Sequence, residues 1–460
     1  MRSLLPLVLL GGLVLAGCSS TSDDTRAQNT DTTGAAANPP AAAAALPACD
    51  ADNGGITLPQ GFCAVVVSAS VSPKGTAARQ VAVAQNGTVY IAVQGKRNAE
   101  TTAERGGVVA VRDTNGDGKA DTTAFFGPEG GSGIDIEGND LYFATNTAVL
   151  HYKLGDGLTP VSGPDTLVEG LPGEHGHTAK SIALGPSDQL WVNIGSPTND
   201  CQAIEHDREA GYKGLDPCPQ LQDRAGVWLF SASKPHQHES DGQRWATGIR
   251  NAMGLAYNTA DQTLYGTQHG RDQLNLWPGF TAEDNATRPA EELQRLTKGA
   301  DFGWPYCYFD TKAQKRVLSP EYGGNGTEVG RCAQYQTPLV SFPGHWAPND
   351  LIFYTGNQFP AHYQGGAFIA FHGSWNRAPL PQAGYKVVFV PWVNGQPSQN
   401  YETFADGFAG KTPEPGTAAH RPMGLAQGPD GSLYITDDSG NTVWRVMYRG
   451  QGAGAGGQSS

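Results

Sequence analysis

A histidine, two arginines and an asparagine stand at matching places in three copies of one short pattern. The copies read His177-Thr-Ala-Lys-Ser181-Ile-Ala-Leu, Arg250-Asn-Ala-Met-Gly254-Leu-Ala-Tyr and Arg421-Pro-Met-Gly424-Leu-Ala-Gln. With Ser181, Gly254 and Gly424 aligned, His177 and Arg250 lie four residues upstream, and Asn251 and Arg421 lie three upstream. An imidazole takes a proton near neutral pH, and neighbouring arginines favour its neutral form. Arginine forks suit carboxylate or quinone oxygens, and Asn251 donates without adding charge. The set fits proton abstraction beside an anionic cofactor or substrate. His175 competes for the role of base, but its phase does not match Arg250.

Two segments offer oxygen ligands. Gln268-His-Gly270-Arg-Asp272 ends the second copy, and a bend there would turn main-chain carbonyls and Asp272 towards a hard cation such as calcium. Asp113-Thr-Asn115-Gly-Asp117-Gly118-Lys-Ala-Asp121 matches the first part of a calcium loop, although Ala124 replaces the closing glutamate. It predicts a structural calcium on Asp113, Asn115, Asp117 and Asp121, away from catalysis. The competing reading is an acidic turn.

These residues must be positioned by something that repeats. An apolar strand, a Gly/Asp/Asn turn and an aromatic-rich strand recur over 81–93, 134–145, 182–194, 255–267, 351–371 and 425–436. Several copies are followed by another short strand, such as 108–112 or 443–447. No long segment has helical periodicity. The pattern predicts an all-β chain folded as a six-bladed β-propeller over residues 48–449. Residues just before each innermost strand then gather at one mouth of the central channel, bringing together His177, Arg250, Asn251 and Arg421.

Composition narrows the partners. Charged residues make up 16% of the 460, glycines number 61 and the net charge is −13. No basic block offsets that charge, which argues against nucleic acid. Residues 1–17 read as a secretory signal resembling those of bacterial lipoproteins, with Cys18 as the lipidated mature N-terminus and membrane anchor. Residues 18–47 read as a disordered tether and 450–460 as a disordered tail. Ser19 resembles outer-membrane sorting, facing the periplasm. Six cysteines remain, and the simplest connectivity is Cys49–Cys63, Cys201–Cys218 and Cys307–Cys332.

The segments Gly248-Ile-Arg-Asn-Ala-Met-Gly, Gly299-Ala-Asp-Phe-Gly-Trp-Pro-Tyr-Cys307, His345-Trp-Ala-Pro-Asn, His372-Gly-Ser-Trp-Asn-Arg377 and Arg421-Pro-Met-Gly resemble the glucose/sorbosone dehydrogenase family, nearest its sorbosone branch. That resemblance implies a quinoprotein sugar dehydrogenase using pyrroloquinoline quinone (PQQ) and calcium. It implies His177 as base, Arg250 and Asn251 on the quinone oxygens, and Arg421 on a cofactor carboxylate. Main-chain carbonyls of Gly270 and Arg271 would hold the cofactor's calcium, and Trp346 would line the substrate mouth. His372 or Arg377 would replace a cofactor lysine, while Met423 stands where a second arginine is usual. The base's usual acidic partner is replaced by Gly195-Ser196, leaving Ser196, Asn199 or a water to orient His177. The implied reaction oxidises an aldose or sorbosone-like sugar to a lactone or acid, with electrons passed to an envelope cytochrome or quinone. Two other classes compete: a non-catalytic propeller binding glycan or protein, and a calcium-dependent lactonase.

Overall fold

The computed structural model describes residues 46–450 apart from Arg97; the leader, Cys18, the tether to residue 45 and the tail beyond Gly450 lie outside the described residues. Six sheets of at least four strands, antiparallel apart from a short parallel fifth strand, Ala300–Asp301, form the blades of a propeller. Their innermost strands are Ala77–Val83, Gly131–Glu137, Ile182–Gly185, Ala252–Asn258, Pro348–Phe353 and Pro422–Gln427. All six contribute residues to one axial cavity of about 310 Å³. Blades are numbered here in that order. The ring is closed by Phe62–Ser68, which pairs with Val443–Tyr448 as the outermost strand of blade 6.

Each blade has two buried faces because it is packed between neighbours, which explains the apolar runs in its inner strands. The six largest side-chain clusters lie between consecutive blades. Tyr90, Ala92 and Val108 of blade 1, for example, meet Ile134, Leu141 and Phe143 of blade 2. Tight hairpins connect the strands, with Gly87 and Gly431 at φ 81° and 84°, where a Cβ would be strained.

The repeated sentence in the sequence has a structural cause. In five innermost strands the register breaks near the mouth, the break ending at Val81, Gly133, Gly254, Asp350 and Gly424. Such bulges bend the strand and re-aim the preceding side chains. Beside them, hydroxyls clasp one blade to the next. Ser181 Oγ donates to the Ala252 carbonyl at 2.5 Å, Thr267 Oγ1 to Pro348 at 3.3 Å, and Thr436 Oγ1 to Arg79 at 2.6 Å. The repeat therefore marks where blades lock together, and the reactive residues stand just upstream.

Gln80 lies at the mouth-side end of the axial cavity. Its Nε2 reaches across to the Met253 carbonyl at 2.8 Å, the Asn349 carbonyl at 3.2 Å and Asp350 Oδ1 at 3.1 Å. This side chain ties blade 1 to blades 4 and 5 at that end of the cavity.

All three disulfides pair as the sequence suggested. Cys201–Cys218 and Cys307–Cys332 pack with Trp304 and Tyr306 in a satellite cluster. Trp304 Nε1 donates to the Asn199 carbonyl at 2.7 Å, so this cluster supports the loop that enters the site.

Candidate functional site at the channel mouth

In an antiparallel hairpin the start of the first strand adjoins the end of the second, so each blade brings two segments to the mouth. His177 comes before the innermost strand of blade 3, and Gly195 and Ser196 follow its second strand, Gln189–Ile194. The ladder continues past the strands: the His177 amide donates to the Ser196 carbonyl at 3.0 Å and the Ser196 amide to the Arg250 carbonyl at 2.8 Å. His177 and Arg250 are thereby fixed on either side of Ser196.

Ser196 also holds the His177 ring. Its carbonyl lies 2.8 Å from His177 Nδ1 and its Oγ 3.1 Å away. A carbonyl only accepts, so Nδ1 carries the proton and Nε2 keeps its lone pair. Ser196 Oγ donates to the Thr198 carbonyl at 2.7 Å, which leaves its oxygen to accept from His177. Burial and the Arg250 charge push the His177 pKa well below the ordinary value, outweighing the Ser196 hydrogen bond. The residue is a neutral imidazole of fixed tautomer. The competing His175 is exposed.

Beneath it, Lys180 is fully buried and donates to the Thr178 and Pro172 carbonyls at 2.6 and 2.8 Å, tying down the His177 loop. Burial and, less strongly, Arg224 lower its pKa to about 7.

Arg250 is 3% exposed and anchored on three sides. Its Nη1 donates to the Gly270 carbonyl, and its Nη2 to Asn199 Oδ1 and Asp272 Oδ2, each at 2.9 Å. Its Nε is buried without a hydrogen-bond partner among the described residues. Asn199 therefore orients Arg250, not His177. Asp272 also accepts from Arg208 at 3.0 Å and Asn376 at 2.8 Å, and lies 3.4 Å from His345 Nδ1. Burial alone would raise the Asp272 pKa, but Arg250, His345 and Arg208 hold it well below the usual carboxylate range.

A second lobe forms where blades 5, 6 and 1 meet. Arg421 donates from Nε to the His372 carbonyl at 3.2 Å and from Nη2 to the Gly373 carbonyl at 2.8 Å. His372 Nε2 meets Asp438 Oδ1 at 2.7 Å, and Arg79 Nη1 meets Asp438 Oδ2 at 3.0 Å. Burial opposes ionisation of Asp438, yet His372, Arg79 and Arg421 bring its pKa down to about 2. His269 links the two lobes. Its amide donates to the Asn251 carbonyl at 3.0 Å, its Nε2 donates to the Pro348 carbonyl at 3.1 Å, and burial, Arg250 and His372 lower its pKa to about 4.

Several sequence-predicted residues have other partners. The Trp346 ring packs edge-on against Phe371 and Tyr401. The Arg377 guanidinium donates to the Ala286 and Gly344 carbonyls at 3.0 and 2.7 Å and so holds a loop. Asp272 is committed to arginines rather than to a cation. The Arg271 guanidinium is buried against Glu321 at 2.6 Å and Asp200 at 3.3 Å. In the 113–121 loop, Asp113 accepts the amides of Asn115, Gly116 and Gly118, and Asn115 and Asp117 accept those two residues on. Asp121 is taken by Thr114. Among the described residues no three His, Cys, Asp or Glu side chains gather as a metal site.

Reasoning from the three copies missed His269, Asp438, Arg79 and the role of Asn199. A signal existed: Asn199, His269 and Asp438 all follow the second strands of the same hairpins.

The mouth offers cationic forks from two lobes, an orphaned buried Nε on Arg250 and a glycine, Gly195, where a side chain would collide with His177. A Cβ on Gly195 would come within 2.6 Å of His177 Cβ and 2.9 Å of Asn251 Oδ1. Gly195→Ala should therefore displace the His177 side chain, and a misplacement of about 1 Å should slow any reaction that uses its imidazole about a hundredfold. Steady-state rates of the variant against the parent would check this.

A family model described as TrAA12-like matches residues 57–449. A pyrroloquinoline quinone-dependent pyranose dehydrogenase of Coprinopsis cinerea is 27% identical over 229 residues, 43% of this chain and 30% of that protein. Aldose sugar dehydrogenase YliI of Escherichia coli is 24% identical over 315 residues, 66% of this chain and 69% of that one. The holo PQQ domain of the Coprinopsis cinerea pyranose dehydrogenase superposes with a TM-score of 0.66 at 20% identity, covering 85% of this chain and 97% of that domain. The chain spans 48% and 30% of the lengths of two of the curated relatives it matches.

Proposed function

The chain belongs to the TrAA12-like family, and on that premise we propose that it is a PQQ-dependent dehydrogenase oxidising a sugar, an aldose or sorbosone-like aldehyde, to a lactone or acid. The observation that carries this reading is the fixed tautomer of His177, whose unprotonated Nε2 stands beside the Arg250 cluster.

When bound, PQQ supplies the two-electron acceptor for the hydride that leaves the carbinol carbon. Arg250 and Asn251 hold and polarise its quinone oxygens, and Arg421 takes a carboxylate. His177 Nε2 removes the hydroxyl proton of the sugar; the Ser196 carbonyl then stabilises the resulting imidazolium through Nδ1–H. Asp272 and Asn199 keep the Arg250 fork still, so little reorganisation accompanies the charge that develops. The proposed calcium ligands are the carbonyls of Arg271 and of Gly270, which also accepts from Arg250 Nη1; both are hard oxygen donors of the kind this ion takes. Lipidation at Cys18 would tether the enzyme to an envelope membrane, where a cytochrome or quinone takes the electrons.

The test is reconstitution. The purified chain with PQQ and calcium should reduce an artificial dye when an aldose is added, and a chelator should remove that activity. Failure to bind PQQ at micromolar concentration would exclude this function.

A further inference from the structure

A dicarboxylate or tricarboxylate cofactor needs more than one cation beyond Arg250, and Met423 leaves the usual second arginine position neutral. Met423 is fully buried, its Sδ 3.0 Å from Asn349 Nδ2, so nothing at that position reaches a ligand. The chain has another cation at the same lobe. The register of blade 1 breaks between Ala78 and Val81, so Arg79 and Gln80 are both displaced from the strand pair. The two bulged residues do different things. Gln80 turns to the axis and ties blade 1 to blades 4 and 5, while Arg79 reaches the lobe that holds Arg421.

Arg79 is fixed there rather than loosely solvated. Its Nε donates to Ser132 Oγ of blade 2 at 3.2 Å and its Nη1 to Asp438 of blade 6 at 3.0 Å. Its carbonyl accepts from Thr436 Oγ1, so the backbone is clasped as well. Nη2 makes no hydrogen bond among the described residues, and 17% of the side chain remains open. Arg421 has the same character: Nε and Nη2 are taken by carbonyls, and Nη1 has no partner among the described residues. Arg79, Arg421 and His372 surround the carboxylate of Asp438, while the neighbouring Asp437 carboxylate is engaged by His420 and the Arg421 amide.

We propose that Arg79 is a cofactor-binding residue, its free Nη2 pairing with a carboxylate of the anionic quinone alongside Arg421. The cation missing at Met423 is thus supplied from the bulge of another blade. This assignment rests on the PQQ reading above.

The experiment is a PQQ titration of the full chain with calcium, followed by equilibrium dialysis or tryptophan fluorescence quenching. Arg79→Met should raise Kd about tenfold or more, the usual value of a charge-assisted hydrogen bond. It should also flatten the dependence of Kd on salt. Arg79→Lys should recover part of the loss. Because Arg79→Met strands Asp438, the double variant Arg79→Met/Asp438→Asn removes both charges and leaves the net charge of the lobe as in the parent. Binding still weakened in the double variant would establish direct contact. Binding restored to the parent value would overturn the proposal, since Arg79 would then serve only to neutralise Asp438. A parent chain that binds no PQQ would instead overturn the proposed function, and this assignment with it.

Discussion

Replacing His177 with alanine should leave PQQ bound while turnover falls about 10²–10⁴-fold, the usual worth of a positioned general base. Cofactor binding should survive because the contacts assigned to it belong to Arg250, Asn251 and Arg421, which are held by Asn199, Asp272 and the Gly373 carbonyl rather than by the imidazole. Free imidazole should restore part of the rate by entering the space vacated beside Ser196. The parent enzyme should also have a distinctive pH profile. Burial and Arg250 depress the His177 pKa, so the base stays unprotonated as pH falls through the ordinary histidine value of about 6.5. The turnover number should stay level through that range and decline only in more acidic solution. Full activity in His177→Ala, or a rate midpoint at the ordinary histidine value, would remove His177 from the role of base.

Why His177 could be singled out from sequence, while its partner stayed one of three candidates, follows from what each depends on. The phase of His177 against Arg250 and Arg421 is a property of the blade repeat, which hydrophobic alternation and turn residues make plain. The partner is a main-chain carbonyl, and every residue has one; Ser196 is selected only by the register that continues the hairpin past Ile194.

Among the strands, the first two of every blade were legible because they are apolar and, in all but blade 5, separated by short turns. Glu291–Leu296 was not, since its charges look solvated in isolation. In the fold, Glu292 is 1% exposed and pairs with Arg316 at 2.6 Å. The closing strand Phe62–Ser68 depends on a partner almost four hundred residues away, beyond any local pattern.

Removing the carboxylate of Asp272 should damage both stability and cofactor binding. That side chain is 13% exposed and neutralises two arginines, Arg250 at 2.9 Å and Arg208 at 3.0 Å. Asp272→Ala would leave the 3%-exposed Arg250 guanidinium uncompensated, a loss of about 3–5 kcal/mol for breaking a buried pair. Chemical denaturation should give a lower midpoint, and PQQ affinity should fall because the Arg250 fork loses one of its three anchors. Asp272→Asn keeps the hydrogen-bonding shape and should fall between the two. The sign of the pH effect is fixed by linkage. The folded pKa of Asp272 lies below its unfolded value of about 3.9, so its contribution is complete above that value and is lost as pH falls towards the folded pKa. The parent should therefore lose stability on acidification below about pH 4 more steeply than Asp272→Ala, and the two curves should converge in acid. Parallel curves, or an unchanged denaturation midpoint, would mean that Arg250 is held by Asn199 and the Gly270 carbonyl alone. The distinction matters for mechanism: a fork anchored by a charge resists being drawn towards an anionic ligand, whereas one anchored only by neutral oxygens would follow it.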